Sequence, residues 1–210
     1  MRLRKKHFAI PEMQENPYVD FKGQDHKGNW QEVFDNKNDI YLEIGSGKGG
    51  FISQMAQNNQ DINFIGIDLE TNALVYAGRK LKDLELENAK LLPINAEKLL
   101  DIFDKEVSRI YINFCNPWPK NRQHKRRLTH PRFLEIYKKV LKKGSIIQLK
   151  TDDLDFFEDS LKYFEDSGFE KIEVDYDKKI EEEDYIVTEY ESKWRSRNIP
   201  IKFAKFKFIK

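Results

Sequence analysis

A chain of 210 residues with 39% hydrophobic and 35% charged residues and a net charge of +1 suits one soluble globular domain and is too apolar to stay disordered. No apolar stretch reaches the roughly 18 residues that would span a membrane, and Arg2, Arg4, Lys5, Lys6 and His7 are followed by no apolar signal core, so a cytoplasmic protein without membrane contact is expected. The single cysteine, Cys115, excludes an internal disulfide, and the four histidines show no metal-ligand spacing, so no metal is expected.

Along the chain, residues 1–39 begin with the basic head and continue without a sustained period, punctuated by Pro and Gly. They are read as a basic arm with short helical pieces, preceding a main domain over 40–210. Ile40-Tyr41-Leu42 and Ile44 form a short apolar run ending in Gly45, the pattern of a buried strand entering a tight turn, with a helix from about Gly50. A second strand is expected over Ile62–Ile67, ending at Asp68, then a helix around 72–83. A third strand, Leu91, Leu92 and Ile94, ends at Asn95.

A fourth strand runs from Ile110 to Phe114, and a helix is expected from Pro131, near its first position, to just before Gly144. Ile146, Ile147 and Leu149 make a fifth strand. Leu154, Phe157, Leu161 and Phe164 recur at helical spacing before Gly168, and strand-like segments follow near 169–176 and 201–209. Strands alternating with helices imply an α/β, doubly wound, mostly parallel sheet, because parallel neighbours need crossovers. The two closing strands suggest an antiparallel hairpin at one edge.

The turn Glu43-Ile44-Gly45-Ser46-Gly47-Lys48-Gly49-Gly50 lets backbone approach a ligand closely, next to a helix N-terminus. Gly45, Gly47 and Gly50 satisfy a dinucleotide spacing, whereas Gly45, Gly47 and Gly49 with an acid two residues earlier satisfy a methyltransferase one. Glu43 would repel a pyrophosphate but suits the cationic amino-acid end of S-adenosylmethionine. Asp68, 19 residues after Gly49, can bind ribose hydroxyls with either cofactor. Asn95 offers an amide to the edge of adenine, or caps a helix.

Charge is strongly segregated. From Val107 to Leu134 seven bases stand without an acid, whereas Asp152–Glu191 holds 17 acids against 4 bases, hence −13. Such polarity marks either an anionic partner on one side or two solvated surfaces of opposite sign.

Asn116-Pro117-Trp118-Pro119-Lys120, followed by Arg122, His124, Lys125, Arg126 and Arg127, then Lys150-Thr151-Asp152 and Thr188-Glu189-Tyr190-Glu191 with Lys193 and Trp194, resemble the bacterial tRNA (guanine-N7-)-methyltransferase family over about residues 39–198. The resemblance implies a Rossmann-like methyltransferase sheet, S-adenosylmethionine as cofactor, and transfer of its methyl group to N7 of a guanine in tRNA, in the variable loop. It implies cofactor contacts at Glu43, Gly45, Gly47, Asp68, Asn95 and Asn116. Substrate contacts would fall at Lys120, Asp152, Thr188, Glu189, Tyr190 and Glu191, and RNA contacts at Arg122, His124, Lys125, Arg126 and Arg127. Where the family has an aspartate, this chain has Asn116, which keeps hydrogen bonding but loses a negative charge, so its catalytic part would be positioning. A monomer or homodimer is expected.

The chemistry is consistent with that set. Guanine N7 has a lone pair and no proton, so its attack on a sulfonium methyl needs no general base, and alignment is the main task. Carboxylates such as Asp152 and Glu191 could grip the N1–H and amino donors of guanine, or belong simply to the acidic surface. The basic loop would bind phosphates or stay solvated, and Trp118 would stack on a base, line the pocket or pack in the core. Three rivals stand beside this reading. Asn116-Pro117-Trp118 also resembles the Asn-Pro-Pro-aromatic motif of amino-group base methyltransferases. Cys115 lies where a 5-methylcytosine enzyme would need a nucleophile. A non-catalytic RNA-binding protein would tolerate Asn116.

Overall fold

A computed structural model describes residues 6–180 and 185–209; Arg2, Arg4 and Lys5 of the expected basic arm lie outside them. The chain divides into two compact units, Met1–Phe103 and Asp104–Lys210. This division does not coincide with the change of composition at residue 39.

In the first unit, β1 (Asp39–Ile44), β2 (Ile62–Ile67) and β3 (Ala89–Leu92) run parallel in the order β3-β2-β1. Ile40, Leu42 and Ile44 and nearly all of β2 are buried, as expected of strands covered on both faces. Before them come α1 (Ala9–Gln14) and α2 (Trp30–Val33). The crossovers are α3 (Gly50–Asn58) and α4 (Thr71–Asp83), which bury Phe51, Ile52 and Ala56, and Leu74, Val75, Ala77 and Leu81.

β3 ends at Leu92, short of the expected Asn95, because Pro93 has no N–H to continue a ladder. Asn95 instead caps a single 3-10 turn, Ala96–Lys98, which leads into α5 (Leu99–Ile102). The segment expected as an arm is largely part of this core. Ala9, Met13 and Trp30 are buried, the Trp30 indole N–H donates to the Ile102 carbonyl at 3.0 Å, and residues 18–20 add backbone hydrogen bonds to β3.

In the second unit β4 (Val107–Asn113) lies parallel to β5 (Leu141–Thr151). β7 (Lys202–Lys207) is antiparallel to both β5 and β6 (Glu170–Asp175), giving the order β4-β5-β7-β6. β6 and β7 are antiparallel neighbours as expected. They are not a tight hairpin, however, since α8 (Glu189–Arg195) intervenes in the chain. The helix α6 (Pro131–Val140) begins with proline as expected but stops four residues before Gly144, because Leu141 already pairs with Val107. Gly144 (φ +85°) sits in a bulge where the β5 register jumps from Leu141 to Ile146 against two residues of β4. α7 (Leu154–Asp166) buries Phe156, Phe157, Ser160 and Phe164, while Leu154 points outward. Phe164 stacks on Phe206 at 3.8 Å, locking α7 to β7.

Candidate functional site

In the first unit the end of β1 delivers Glu43, only 5% exposed, into the glycine turn. Gly45 (φ +87°), Gly47 (φ +53°) and Gly49 (φ +74°) are all left-handed, whereas Gly50 is the first residue of α3. The conformationally demanding set is therefore the methyltransferase triple and not the dinucleotide one. At Gly49 a Cβ would lie 2.7 Å from that of Ala77, so this glycine lets α4 approach. At Gly45 and Gly47 a Cβ would meet nothing within 4 Å. There the missing side chains leave open space along the backbone, the cradle that an adenosyl cofactor requires.

Asp68, at the end of β2, does more than the sequence suggested. One carboxylate oxygen accepts the Gly47 N–H at 2.8 Å and the other the Glu70 N–H at 2.8 Å, so it pins the glycine turn. Burial raises its carboxyl above the ordinary 3.8, against the lowering effect of those two N–H groups. Asn95 is half-buried and its Oδ1 accepts the Glu97 N–H at 3.1 Å. Its capping role is thus realised, and a contact with adenine would come on top of it. Glu43 lies in the last two residues of β1, and the turn, Asp68 and Asn95 follow the ends of β1, β2 and β3, where ligands bind in open α/β sheets.

In the second unit, β4 runs into a loop with two non-glycine residues in the left-handed region, Phe114 (φ +49°) and Trp118 (φ +45°). Strained residues of this kind, at about 1–3 kcal/mol each, persist where surrounding structure over-determines them. Between them Asn116 is exposed, and its Oδ1 accepts the Trp118 N–H at 3.0 Å. Burial pushes the Cys115 thiol up to about 12, which removes the thiolate that a cysteine nucleophile needs. Trp118 is only partly buried, with the Arg126 guanidinium 5.0 Å from its ring centroid.

The basic run continues from exposed Lys120 into 3-10 turns over Asn121–Arg126. Arg122, Lys125 and Arg126 face solvent as a phosphate-binding surface requires, and His124 is partly buried. Arg127 departs from the expectation. It is 2% exposed, donating from Nη1 to Asp159 Oδ2 at 2.6 Å and from Nε to the Pro117 carbonyl at 2.7 Å. Its charge is committed inside the protein, where it fastens the Asn116 loop to α7. His124 and Arg127 help line an acidic cleft of about 280 Å³ with Asp153, Asp155, Glu158 and Asp159.

Asp152 follows β5, half-buried, and its carbonyl accepts the Lys202 ammonium at 2.9 Å. Thr188 caps α8 by accepting the Glu191 N–H at 3.0 Å, and Glu189 and Tyr190 are exposed. Glu191 is not. It is fully buried, its carboxylate held by Lys150, Tyr185 and Arg195, whereas Glu189 and Tyr190 beside it face solvent. Sequence reasoning misses Tyr185, Arg195 and Asp159, and quotes Lys150 within a motif without giving it a role. Lys150 carries the plainest signal, a lysine directly after Ile146, Ile147 and Leu149 of a strand, where a buried ammonium demands a partner. Among the described residues no group of three or more His, Cys, Asp or Glu could hold a metal, and no helix is long and apolar enough to cross a membrane.

Comparison with known proteins agrees with this geometry. A family model described as "Putative methyltransferase" matches residues 37–204. The chain is 52% identical to a tRNA (guanine-N(7)-)-methyltransferase of Clostridium novyi, with 97% of each chain covered. It is 47% identical to one of Clostridium tetani, again over 97% of each. Among solved structures, the 16S rRNA methyltransferase KamB matches with a TM-score of 0.70 at 14% identity, covering 91% of this chain and 95% of that one. A SAM-dependent methyltransferase from Aquifex aeolicus matches with 0.59 at 14% identity, over 97% and 100%. These two show that the fold is the Rossmann-like methyltransferase sheet. By the full-length identity, the chain belongs to the tRNA (guanine-N7-)-methyltransferase family.

Proposed function

We propose that this protein methylates N7 of a guanine in tRNA, in the variable loop, with S-adenosylmethionine as donor, working in the cytoplasm as a monomer or homodimer without a metal. One observation carries the reading. The chain combines an open left-handed glycine turn with an exposed basic surface, Arg122, Lys125 and Arg126, directly after Asn116-Pro117-Trp118-Pro119.

The cofactor, when bound, supplies an electrophilic methyl group on a sulfonium sulfur. Glu43 would receive the cationic amino-acid end and Asp68 the ribose hydroxyls, while Gly45 and Gly47 admit the ligand against the backbone. Asn95 would offer its amide N–H to adenine. On the substrate side, Lys120 would contact the guanine nucleotide, while Arg122, Lys125 and Arg126 would neutralise phosphates, helped by His124, and fix the position of the RNA without reading much sequence. Asp152, with Thr188, Glu189 and Tyr190, would hold the donor edge of the guanine so that N7 is presented for attack.

The lone pair of N7 needs no base, so positioning carries the rate, and near-attack alignment can supply roughly 7–11 kcal/mol. Positive charge grows on the purine during transfer. Asn116, held by its Trp118 hydrogen bond, answers that charge with an amide dipole and acts by orientation.

The test is incubation of purified protein with methyl-labelled S-adenosylmethionine and tRNA, followed by nucleoside mapping. Label recovered as 7-methylguanine in the variable loop is expected. Label on an exocyclic amino group would favour the amino-group rival, and cofactor binding with no transfer would favour a binding protein, which the exchange of aspartate for Asn116 keeps in view.

A further inference from the structure

We propose that the end of α8 carries a second phosphate-binding surface, in which Lys193 and Arg197, braced by Trp194, take the backbone of the tRNA beside the guanine. The proposal rests on the methyltransferase reading and deepens it, by adding RNA contacts outside the Arg122–Arg126 loop.

The sequence supplies the charge. From Ser192 to Lys210 seven bases stand without an acid, a run that matches the one over Val107–Leu134 and begins directly after the acidic stretch. The fold then sorts these bases. Arg195 turns inward to Glu191, Lys202 is buried, and Lys205 pairs with Glu173 at 2.9 Å. Lys193 and Arg197 stay exposed, and among the described residues neither meets a carboxylate. Their charge is therefore left for an anion from outside.

The two cations are also held in place. Arg197 lies four residues after Lys193 and three after Trp194, spacings that put side chains on one helical face. The indole is half-buried, with Lys193 Nζ 4.9 Å and the Arg197 guanidinium 5.4 Å from its ring centroid, near enough for cation–π attraction to restrain both long side chains. Beyond the helix the backbone closes in a Schellman pattern. The N–H of Asn198 (φ +56°) donates to the Arg195 carbonyl at 2.9 Å and that of Ile199 to the Trp194 carbonyl at 3.1 Å, so Arg197 stands on hydrogen-bonded chain.

Placement selects the ligand. β4 and β7 flank β5; β4 ends beside Lys150, and the chain enters β7 at Lys202, opposite Thr151. The basic loop after β4 and the turn before β7 thus reach the same edge of the sheet, on either side of the chain at Asp152. Lys202 Nζ donates to the carbonyls of both Asp152 and Pro200, at 2.9 and 3.0 Å, which fastens the end of this turn to the residue proposed to hold the guanine. Cations on both sides of a base-holding residue fit a polynucleotide, whose phosphates continue in both directions from the base. Such contacts add affinity and register and carry little sequence information.

The experiment measures tRNA affinity over a potassium chloride series, with kcat, KM for tRNA, Tm and the dissociation constant of S-adenosylhomocysteine. The variants are Lys193→Ala with Arg197→Ala, the charge-keeping pair Lys193→Arg with Arg197→Lys, Trp194→Leu and Trp194→Phe. A control, Lys143→Ala with Lys207→Ala, removes two charges from exposed bases at the opposite edge of the sheet, where Gly144 meets Phe208. Lys193→Ala with Arg197→Ala should lose roughly 0.7–0.9 of salt slope for each phosphate no longer neutralised. Its KM for tRNA should rise at least about fivefold, with cofactor affinity within about twofold of wild type. The charge-keeping pair and the control should retain the wild-type slope. Trp194→Leu should weaken binding by a smaller factor at unchanged slope, and Trp194→Phe, which keeps a ring, should recover it. Should the double alanine variant lose Tm, the single variants Lys193→Gln and Arg197→Gln, each with about half of its slope loss, carry the comparison. An unchanged slope in enzyme that still forms 7-methylguanine would overturn the proposal alone, by leaving these cations solvated. An equal slope loss in the control would overturn it too, by reducing the effect to net charge. Wild-type protein that labels no tRNA would overturn the functional reading itself.

Discussion

A buried guanidinium, that of Arg127, ties the loop around Asn116 to α7. In Arg127→Met the apolar stem is kept and three things are removed: the 2.6 Å ion pair to Asp159, the 2.7 Å hydrogen bond to the Pro117 carbonyl, and the guanidinium 5.5 Å from the Phe156 ring centroid. Breaking a buried ion pair by removing one partner costs about 3–5 kcal/mol. The Asp159 side chain is 33% exposed and regains some hydration, which places the cost near the lower end, about 3 kcal/mol. For a chain of this size that corresponds to a fall in Tm of roughly 6–12 °C.

Thermal unfolding followed by circular dichroism reads that shift, and tRNA affinity measured over a salt series reads the other possibility. If Arg127 instead neutralised an RNA phosphate, its removal would lower the salt slope by about 0.7–0.9. The structure predicts a lowered Tm and an unchanged slope at concentrations where the variant is folded. An unchanged Tm with a reduced slope would refute the assignment of Arg127 to the interior.

The exposed neighbours should behave in the opposite way. Lys125→Ala with Arg126→Ala should weaken tRNA binding and flatten its salt slope by roughly one unit for each phosphate no longer neutralised, with stability changed by no more than about 0.5 kcal/mol for each surface substitution; an unchanged slope would remove the loop from the interface. Gly45→Ala meets no neighbour within 4 Å, so it should cost stability only the left-handed strain of about 1–2 kcal/mol while cofactor affinity, read by calorimetry, drops well beyond that; equal losses in both would argue against a ligand along this backbone. Asp68 is an acid whose folded-state pKa lies above its ordinary 3.8, so its contribution to stability is present at low pH and is lost as pH rises through the raised value. Its use as a ribose acceptor needs the carboxylate. Binding of S-adenosylhomocysteine should therefore weaken on acidification, starting above the ordinary aspartate range, and Asp68→Asn should flatten that dependence; a wild-type affinity independent of pH would contradict the role. Cys115→Ala should leave turnover intact, since the thiol is held protonated; abolished turnover would revive covalent catalysis.

What can be read in advance follows from how local each cause is. β1 and β2 are apolar runs closed by Gly45 and Asp68, and their ends depend on residues within the run, so they lie where the sequence puts them. β3 stops early because of Pro93, a signal present in the sequence and outweighed there by Ile94. Gly144 reads as a helix stop because a glycine after a helical period usually is one. Its bulge is set by pairing with β4, more than thirty residues away in the chain.

The same holds for the site. The methyltransferase triple can be named from sequence but not chosen over the dinucleotide triple on spacing alone, because the left-handed angle of Gly49 goes with its close approach to Ala77, 28 residues further on, while Gly50 is already helical. Within the basic run, Arg126 and Arg127 look alike in sequence. One faces solvent and the other the interior, because Asp159, 32 residues further on, takes the second. Glu191 sits within an acidic run and is separated from its companions by Lys150, 41 residues earlier. Charge runs show the sign of a surface but not which member turns inward.

Everything proposed for this chain requires that it bind an adenosyl cofactor on its glycine turn and pass the methyl group to a purine ring nitrogen of tRNA. Nucleoside mapping after reaction of the full chain with methyl-labelled S-adenosylmethionine and total tRNA asks that question without intermediaries. Label should appear in 7-methylguanine from the variable loop, and none in RNA treated with a protein carrying Gly45→Ala and Gly47→Ala together. Label in any other nucleoside, or none from the wild-type protein, would contradict it.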